Sequence, residues 1–239
     1  MEKKTLGQHT SQRFNRELDS VRSRVLAMGG LVEQQISQAV LALMTGDSDL
    51  ADVVMKNDYQ VNSMEVTIDE EVSYILARRQ PAAIDLRMLV TVIKTITDLE
   101  RVGDQAERVA RMAKSLADAG VSGNQFIEIE HLGQQVQKML QGALDAFARM
   151  DPEAAVEVAR QDIRVDQEYE LLMRQLITFM MEDPRTIGRT LNLIWAARAL
   201  ERIGDHSSNI CEYVIYMVKG KDVRHTSLDQ MEVEAKRQR

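Results

Sequence analysis

Residues 99–110 read LERVGDQAERVA, and residues 200–211 read LERIGDHSSNIC. Each stretch sets a glutamate and an aspartate four residues apart, with a glycine directly before the aspartate. These are Glu100, Gly103 and Asp104 in the first and Glu201, Gly204 and Asp205 in the second. In a helix, like charges at i and i+4 repel by roughly 0.2–0.5 kcal/mol, and an interior glycine costs about 1 kcal/mol relative to alanine. A single position matches by chance roughly one time in fifteen. Two copies of so costly a hexamer therefore point to duplication of a larger unit.

Outward from these anchors the rest of the chain lines up in the same order. KND at 56–58 meets RQD at 160–162, Val61 meets Val165, and RRQP at 78–81 meets MEDP at 181–184. The prolines Pro81, Pro152 and Pro184 stand where helices break or begin, because proline fits a first helical turn and disrupts an interior. Asp151 and Asp183 precede two of them as N-cap candidates, and Gly46 with Asp47 or Ser48 can close one helix and open the next. Between these marks apolar residues recur every three or four positions. Phe14, Leu18, Val21, Val25, Met28, Val32, Ile36, Val40 and Leu43 form such a seam, interrupted by Gly29–Gly30, which are expected to bend it.

Six long helices are expected, over about 8–45, 48–80, 82–119, 124–150, 152–182 and 184–218. The fold class is all-α: two tandem-repeat three-helix bundles, residues 8–119 and 124–218, in an elongated molecule. DAGVSGNQ at 118–125 is the expected join, and 219–239 is expected to be a mostly disordered tail.

Composition agrees with a bundle. The 239 residues are 44% hydrophobic and only 4% aromatic, with few glycines and prolines and 14 methionines to fill irregular gaps. A net charge of −7 argues against nucleic-acid binding. A single cysteine, Cys211, permits no internal disulfide and suits a reducing compartment. Neither a signal peptide nor an apolar run of membrane-spanning length is present, so a cytoplasmic protein without membrane insertion is expected.

The acids point to metal chemistry. Residues at i and i+4 share a helix face, so Glu100 projects with Asp104 and Glu201 with Asp205. The preceding helix of each half offers a second such pair, Asp58 with Asn62 and Asp162 with Asp166. Face to face, these pairs make a cluster of three or four carboxylates in each half. Such oxygen-only clusters suit hard cations such as Mg²⁺ and Mn²⁺, and carboxylates also serve iron. The glycine leaves room for a close approach by neighbouring backbone or a metal-bound water. The plainer alternative is a solvated charged face, with Asp104 paired to Arg108 and Glu107 to Arg111. His206 should point about 100° away from Asp205, at best a rim ligand. The absence of a nucleotide-binding glycine loop and of a nucleophile–base signature leaves no catalytic residue to name. Trp195 and Cys211 are expected in the core.

ARRQPAAIDLRMLVTVIKTITDLERVGDQAERVA and EDPRTIGRTLNLIWAARALERIGDHSSNICEYVIY resemble the two signature helices of the PhoU family, and the resemblance runs through both repeats up to the tail. It implies two tandem three-helix bundles. It also implies an accessory protein of the high-affinity phosphate ABC transporter that acts as a negative regulator of the phosphate-starvation regulon. Such a protein is an adaptor between the transporter's ATPase subunit and a phosphate-sensing histidine kinase, and a homodimer is compatible with its broad helical faces. The resemblance further implies a divalent or trivalent metal (Mg, Mn, Fe or Zn), in mononuclear or multinuclear sites. The implied ligands are Asp58, Glu100 and Asp104 in one half and Asp162, Asp166, Glu201 and Asp205 in the other, with Asn62 a departure. The family's RRQPxxxDLR pattern is present at Arg78, Arg79, Pro81, Asp85, Leu86 and Arg87. It reads either as a capped turn or as a partner-facing edge. The alternative to the non-enzymatic adaptor is a carboxylate-bridged, metal-dependent phosphatase.

Overall fold

The structure is a computed structural model describing residues 3–81, 83–120 and 127–237. It is helical throughout, with no strand among the described residues. The helices are α1 (Lys3–Thr45), α2 (Ser48–Arg79), α3 (Ala83–Asp118), α4 (Ile127–Arg149), α5 (Pro152–Ala159), α6 (Asp162–Glu182), α7 (Ile187–Lys219) and α8 (Leu228–Lys236). At 1.5 Å per residue, α1 is roughly 60 Å long, so the molecule is elongated.

Local chemistry sets the breaks. Gly46 takes positive φ after α1, and Asp47 caps α2 by accepting from the Leu50 amide at 2.9 Å. Asp151 accepts from the amides of Glu153 and Ala154, both at 3.0 Å, opening α5 with Pro152 in its first turn. Asp183 accepts from the Arg185 amide and starts a 3-10 turn, Pro184–Thr186, that leads into α7.

The apolar seams of α1, α2 and α3 face one another, as do those of α4, α5, α6 and α7, and one continuous core joins the two groups. The join is made chiefly by α3 against α7, the most extensively paired helices of the molecule, and by α1 against α4. α3 and α7 run antiparallel: Thr91 donates to the Tyr213 carbonyl, while Asn192 donates to Ser115 Oγ at 3.0 Å. At their crossing, His206 donates to Asp98 Oδ1 at 2.7 Å with both side chains buried, and Asn209 Nδ2 donates to the same oxygen at 3.3 Å.

Several expectations need correction. The expected helix over 152–182 is two helices, parted at Arg160–Gln161, so Asp162 is the first residue of α6. α1 runs unbroken through Gly29–Gly30. A Cβ on Gly29 would lie 2.5 Å from Leu144 Cδ1, so the glycine lets α4 pack closely. Trp195 is 54% exposed and not in the core, whereas Cys211 is fully buried. The stretch 219–237 is not a disordered tail. Ser227 and Gln230 form a capping box that starts α8, and Val223, Met231 and Ala235 are buried where α8 packs on α5. Arg160 pairs with Glu232 across that contact. Most of the expected join at 118–125 lies outside the described residues.

Candidate functional site

The two acidic clusters are built the same way. α2 runs antiparallel to α3, and α6 to α7, so an acidic face of one helix meets an acidic face of the next. The glycines set how closely they meet. A Cβ on Gly204 would lie 3.2 Å from Asp162 Oδ1 and 3.3 Å from Val165 Cγ1. A Cβ on Gly103 would lie 3.3 Å from both Asp58 Oδ1 and Val61 Cγ1. The glycine therefore accommodates the neighbouring helix's carboxylate and the valine one turn on. This fits the close approach expected from sequence, with a side chain in the role assigned to backbone or water.

In the second half, Asp162, Asp166 and Asp205 each present a carboxylate oxygen, all within 4.8 Å of one another. Glu201 stands one turn from Asp205, only 8% exposed, with Oε1 accepting from Arg198 at 2.5 Å. Asp162 Oδ1 and Glu201 Oε2 are buried without a hydrogen-bond partner. Burial, reinforced by Asp166, Asp205 and Glu201, pushes Asp162 up to about 7. Burial also raises Glu201 and Asp205, the latter helped by Asp166. Three converging carboxylates, two orphaned oxygens and raised pKa values are the signs of a site short of positive charge. The donors are all hard oxygens, which fits a hard cation.

The first half gathers Asp58, Glu100 and Asp104, each raised by burial first and by neighbouring acids next. Asn62 donates to Asp58 Oδ2 at 3.2 Å, in the place where Asp166 stands in the second half. Among the described residues these acids do not close into a triad as tight as the second. Two acids that sequence reasoning left out of the cluster flank it. Glu65 bears on Glu100, and Glu107, paired with Arg111 at 2.6 Å, bears on Asp58 and Asp104.

His206 is engaged with Asp98 and stands outside the aspartate triad. Asp98 was missed, because the repeat that drew attention to LERVGD does not extend to it. Its counterpart one residue before LERIGD is Ala199, and that of His206 is Gln105. The buried pair thus occurs on one side of the α3–α7 crossing only. Beside Asp104 lies a groove of about 470 Å³ lined by Glu107, Arg108, Arg111, Met112 and Trp195.

The RRQPxxxDLR segment is partly committed within the chain. Arg79 forms a two-pronged pair with Glu17, at 2.6 and 2.8 Å, tying α2 to α1. Arg87 donates to the Met217 carbonyl at 3.3 Å at the end of α7. Arg78 is exposed and stacks over Tyr74, 5.5 Å from the ring centre, and Asp85 lies in the first turn of α3.

Comparison with known proteins places this architecture. A family model described as the PhoU domain matches the chain twice, over residues 25–113 and 129–214. A phosphate-specific transport system accessory protein PhoU homolog from Pseudomonas aeruginosa is 55% identical over 237 residues, covering 99% of this chain and 98% of its own. The Escherichia coli K12 protein named phosphate-specific transport system accessory protein PhoU is 47% identical over 232 residues, covering 97% and 96%. The crystal structure of PhoU from Pseudomonas aeruginosa matches with a TM-score of 0.84 at 57% identity, covering 87% of this chain and all of that one. The phosphate transport system regulatory protein PhoU from Streptococcus pneumoniae matches with a TM-score of 0.81 at 28% identity, covering 88% and 99%. With its repeated glycine–acid motif and a family match in both halves, the chain belongs to the PhoU family.

Proposed function

We propose that this protein is an accessory protein of the high-affinity phosphate ABC transporter and a negative regulator of the phosphate-starvation regulon. It acts as a non-enzymatic cytoplasmic adaptor between the transporter's ATPase subunit and a phosphate-sensing histidine kinase, and its acidic clusters hold divalent cations. The names of close relatives support the transport role. No described helix is long and apolar enough to cross a membrane, which suits a protein that docks onto membrane partners.

The single observation behind the cation reading is the convergence of Asp162, Asp166 and Asp205 beside the unpartnered oxygens of Asp162 and Glu201. Asp162, Asp166, Glu201 and Asp205 would hold a cation in the second half, and Asp58, Glu100 and Asp104 in the first. A bound Mg²⁺ or Mn²⁺ supplies the positive charge that these carboxylates lack. The residues themselves bridge α6 to α7 and α2 to α3, so neutralising them stiffens the outer helices against the shared core. Those outer helices expose large apolar side chains, among them Tyr59, Val66, Leu171 and Met181, suited to docking on partner helices.

The test is capture of the transporter ATPase and the sensor kinase by the full chain, at high and low phosphate. Capture of both at high phosphate is expected; capture of neither under either condition overturns the adaptor. The phosphatase alternative is tested with phosphoesters in Mn²⁺, Mg²⁺ or Fe²⁺. No turnover is expected, and turnover that disappears in Glu201→Ala would replace the adaptor with an enzyme.

A further inference from the structure

Gln35 stands out among the polar groups of α1. It lies on the apolar seam between Val32 and Ile36, is 2% exposed, and leaves both Nε2 and Oε1 without a hydrogen-bond partner. A buried amide in that state is unfavourable and calls for a physical reason. Its surroundings supply one. A Cβ on Gly103 would lie 3.4 Å from Gln35 Oε1 and 3.3 Å from Asp58 Oδ1, so the two oxygens look onto the same small space. Asp58 Oδ1 is itself buried and unpartnered. Two acceptors facing one spot are complementary to something positive.

The second half shows what is specific to this arrangement. Over Gly204, α4 contributes Val136 where α1 contributes Gln35 over Gly103. The half with Val136 has four carboxylates, whereas the half with Gln35 has three and Asn62. An amide oxygen is a hard donor of the kind that Mg²⁺, Mn²⁺ and Ca²⁺ accept beside carboxylates. We infer that Gln35 belongs to the first cluster, where its amide oxygen joins Asp58, Glu100 and Asp104 around a hard divalent cation and takes the place of the carboxylate lost at Asn62. The inference rests on the cation reading of the clusters. It makes the two halves different sites, the first with one ligand carboxylate fewer.

The experiment uses the full chain with its second cluster silenced by Asp162→Asn and Asp166→Asn, stripped of metal and titrated calorimetrically with Mn²⁺. The chain with both clusters intact is titrated alongside. Gln35→Val is expected to weaken Mn²⁺ binding at the remaining site by about tenfold or more. The same substitution is expected to raise the melting temperature of the metal-free protein, because it removes an unpaired buried amide. Gln35→Glu, nearly isosteric, is expected to tighten binding. Unchanged Mn²⁺ affinity in both variants overturns the inference. So does a lowered metal-free melting temperature in Gln35→Val with unchanged Mn²⁺ affinity, which would mark the amide as a structural group satisfied by water. If the chain with both clusters intact takes up no Mn²⁺, the cation reading itself fails, a result distinct from failure of Gln35 alone.

Discussion

The two acidic clusters share a scaffold and differ in their donors. Both place an aspartate oxygen and a valine methyl over a helix glycine, 3.3 Å and 3.3 Å from where a Cβ would stand in the first and 3.2 Å and 3.3 Å in the second. Around that contact the halves diverge. Asp58 lies within the continuous α2, whereas Asp162 is the first residue of α6, where the helix dipole favours negative charge. The second cluster has Asp166 and Val136 where the first has Asn62 and Gln35. The side-chain contact over the glycine is what the two halves keep in common, and the ligand set is free to differ around it.

The largest expected effect concerns the other asymmetry, at the α3–α7 crossing. Asp98→Ala leaves His206 and Asn209 without their acceptor and should destabilise the protein by about 3 kcal/mol in chemical denaturation. Gln105→Ala, which alters the residue in the position corresponding to His206, should cost about 1 kcal/mol or less. Equal costs would show that the buried pair does not hold the halves together.

Next comes pH. Asp162 has its pKa raised from an ordinary aspartate's to about 7. The folded, metal-free chain therefore binds more protons than the unfolded chain between about pH 4 and 7. Stability must then fall as pH rises through that window. Asp162→Asn should remove most of this slope and stabilise the metal-free protein at pH 8 on the order of 2–4 kcal/mol. Saturating Mn²⁺ should reverse the trend, because the cation binds the ionised form. A wild-type melting temperature that is flat or rising from pH 5 to 8 without metal would contradict the electrostatics assigned to this cluster.

A smaller effect tests whether the donor set alone separates the clusters. Asn62→Asp restores the fourth carboxylate and should tighten first-site Mn²⁺ binding by about tenfold, or 1.4 kcal/mol. The smallest effect concerns the scaffold. Gly204→Ala gains about 1 kcal/mol of helix propensity but crowds Asp162, so metal-free stability should change by less than about 1 kcal/mol. Its Mn²⁺ affinity should nevertheless fall in calorimetry. Loss of stability without loss of affinity would show that the glycine serves packing only.

Much of the fold was legible because helices write themselves in sequence with a 3.6-residue period and with caps. Asp47, Asp151 and Asp183 cap where their side chains suggested, and the LERVGD and LERIGD helices pair with their acidic neighbours. What escaped was set by tertiary packing. Nothing local in ARQDIRV marks the break before Asp162. The packing role of Gly29 could not be read locally, because its partner, Leu144, is more than a hundred residues away in the chain. Trp195 sits at a helical spacing compatible with the core, yet opens on the groove beside Arg108. The α8 capping box, Ser227 to Gln230, was written plainly in SLDQ, but two buried positions in one short helix give too weak a period to notice. Gln35 was visible as a polar residue on an apolar seam, opposite Val136 in the other repeat. Its meaning required knowing that both face a glycine.

The most direct test is the Mn²⁺ content of the full chain after equilibrium dialysis at pH 7.5, with the parent beside Asp162→Asn/Asp205→Asn. The parent is expected to retain Mn²⁺ in two classes of affinity, and the variant to lose the tighter class while keeping the weaker. Equal retention by parent and variant would contradict the claim that duplicated acids on neighbouring helices converge to hold a cation.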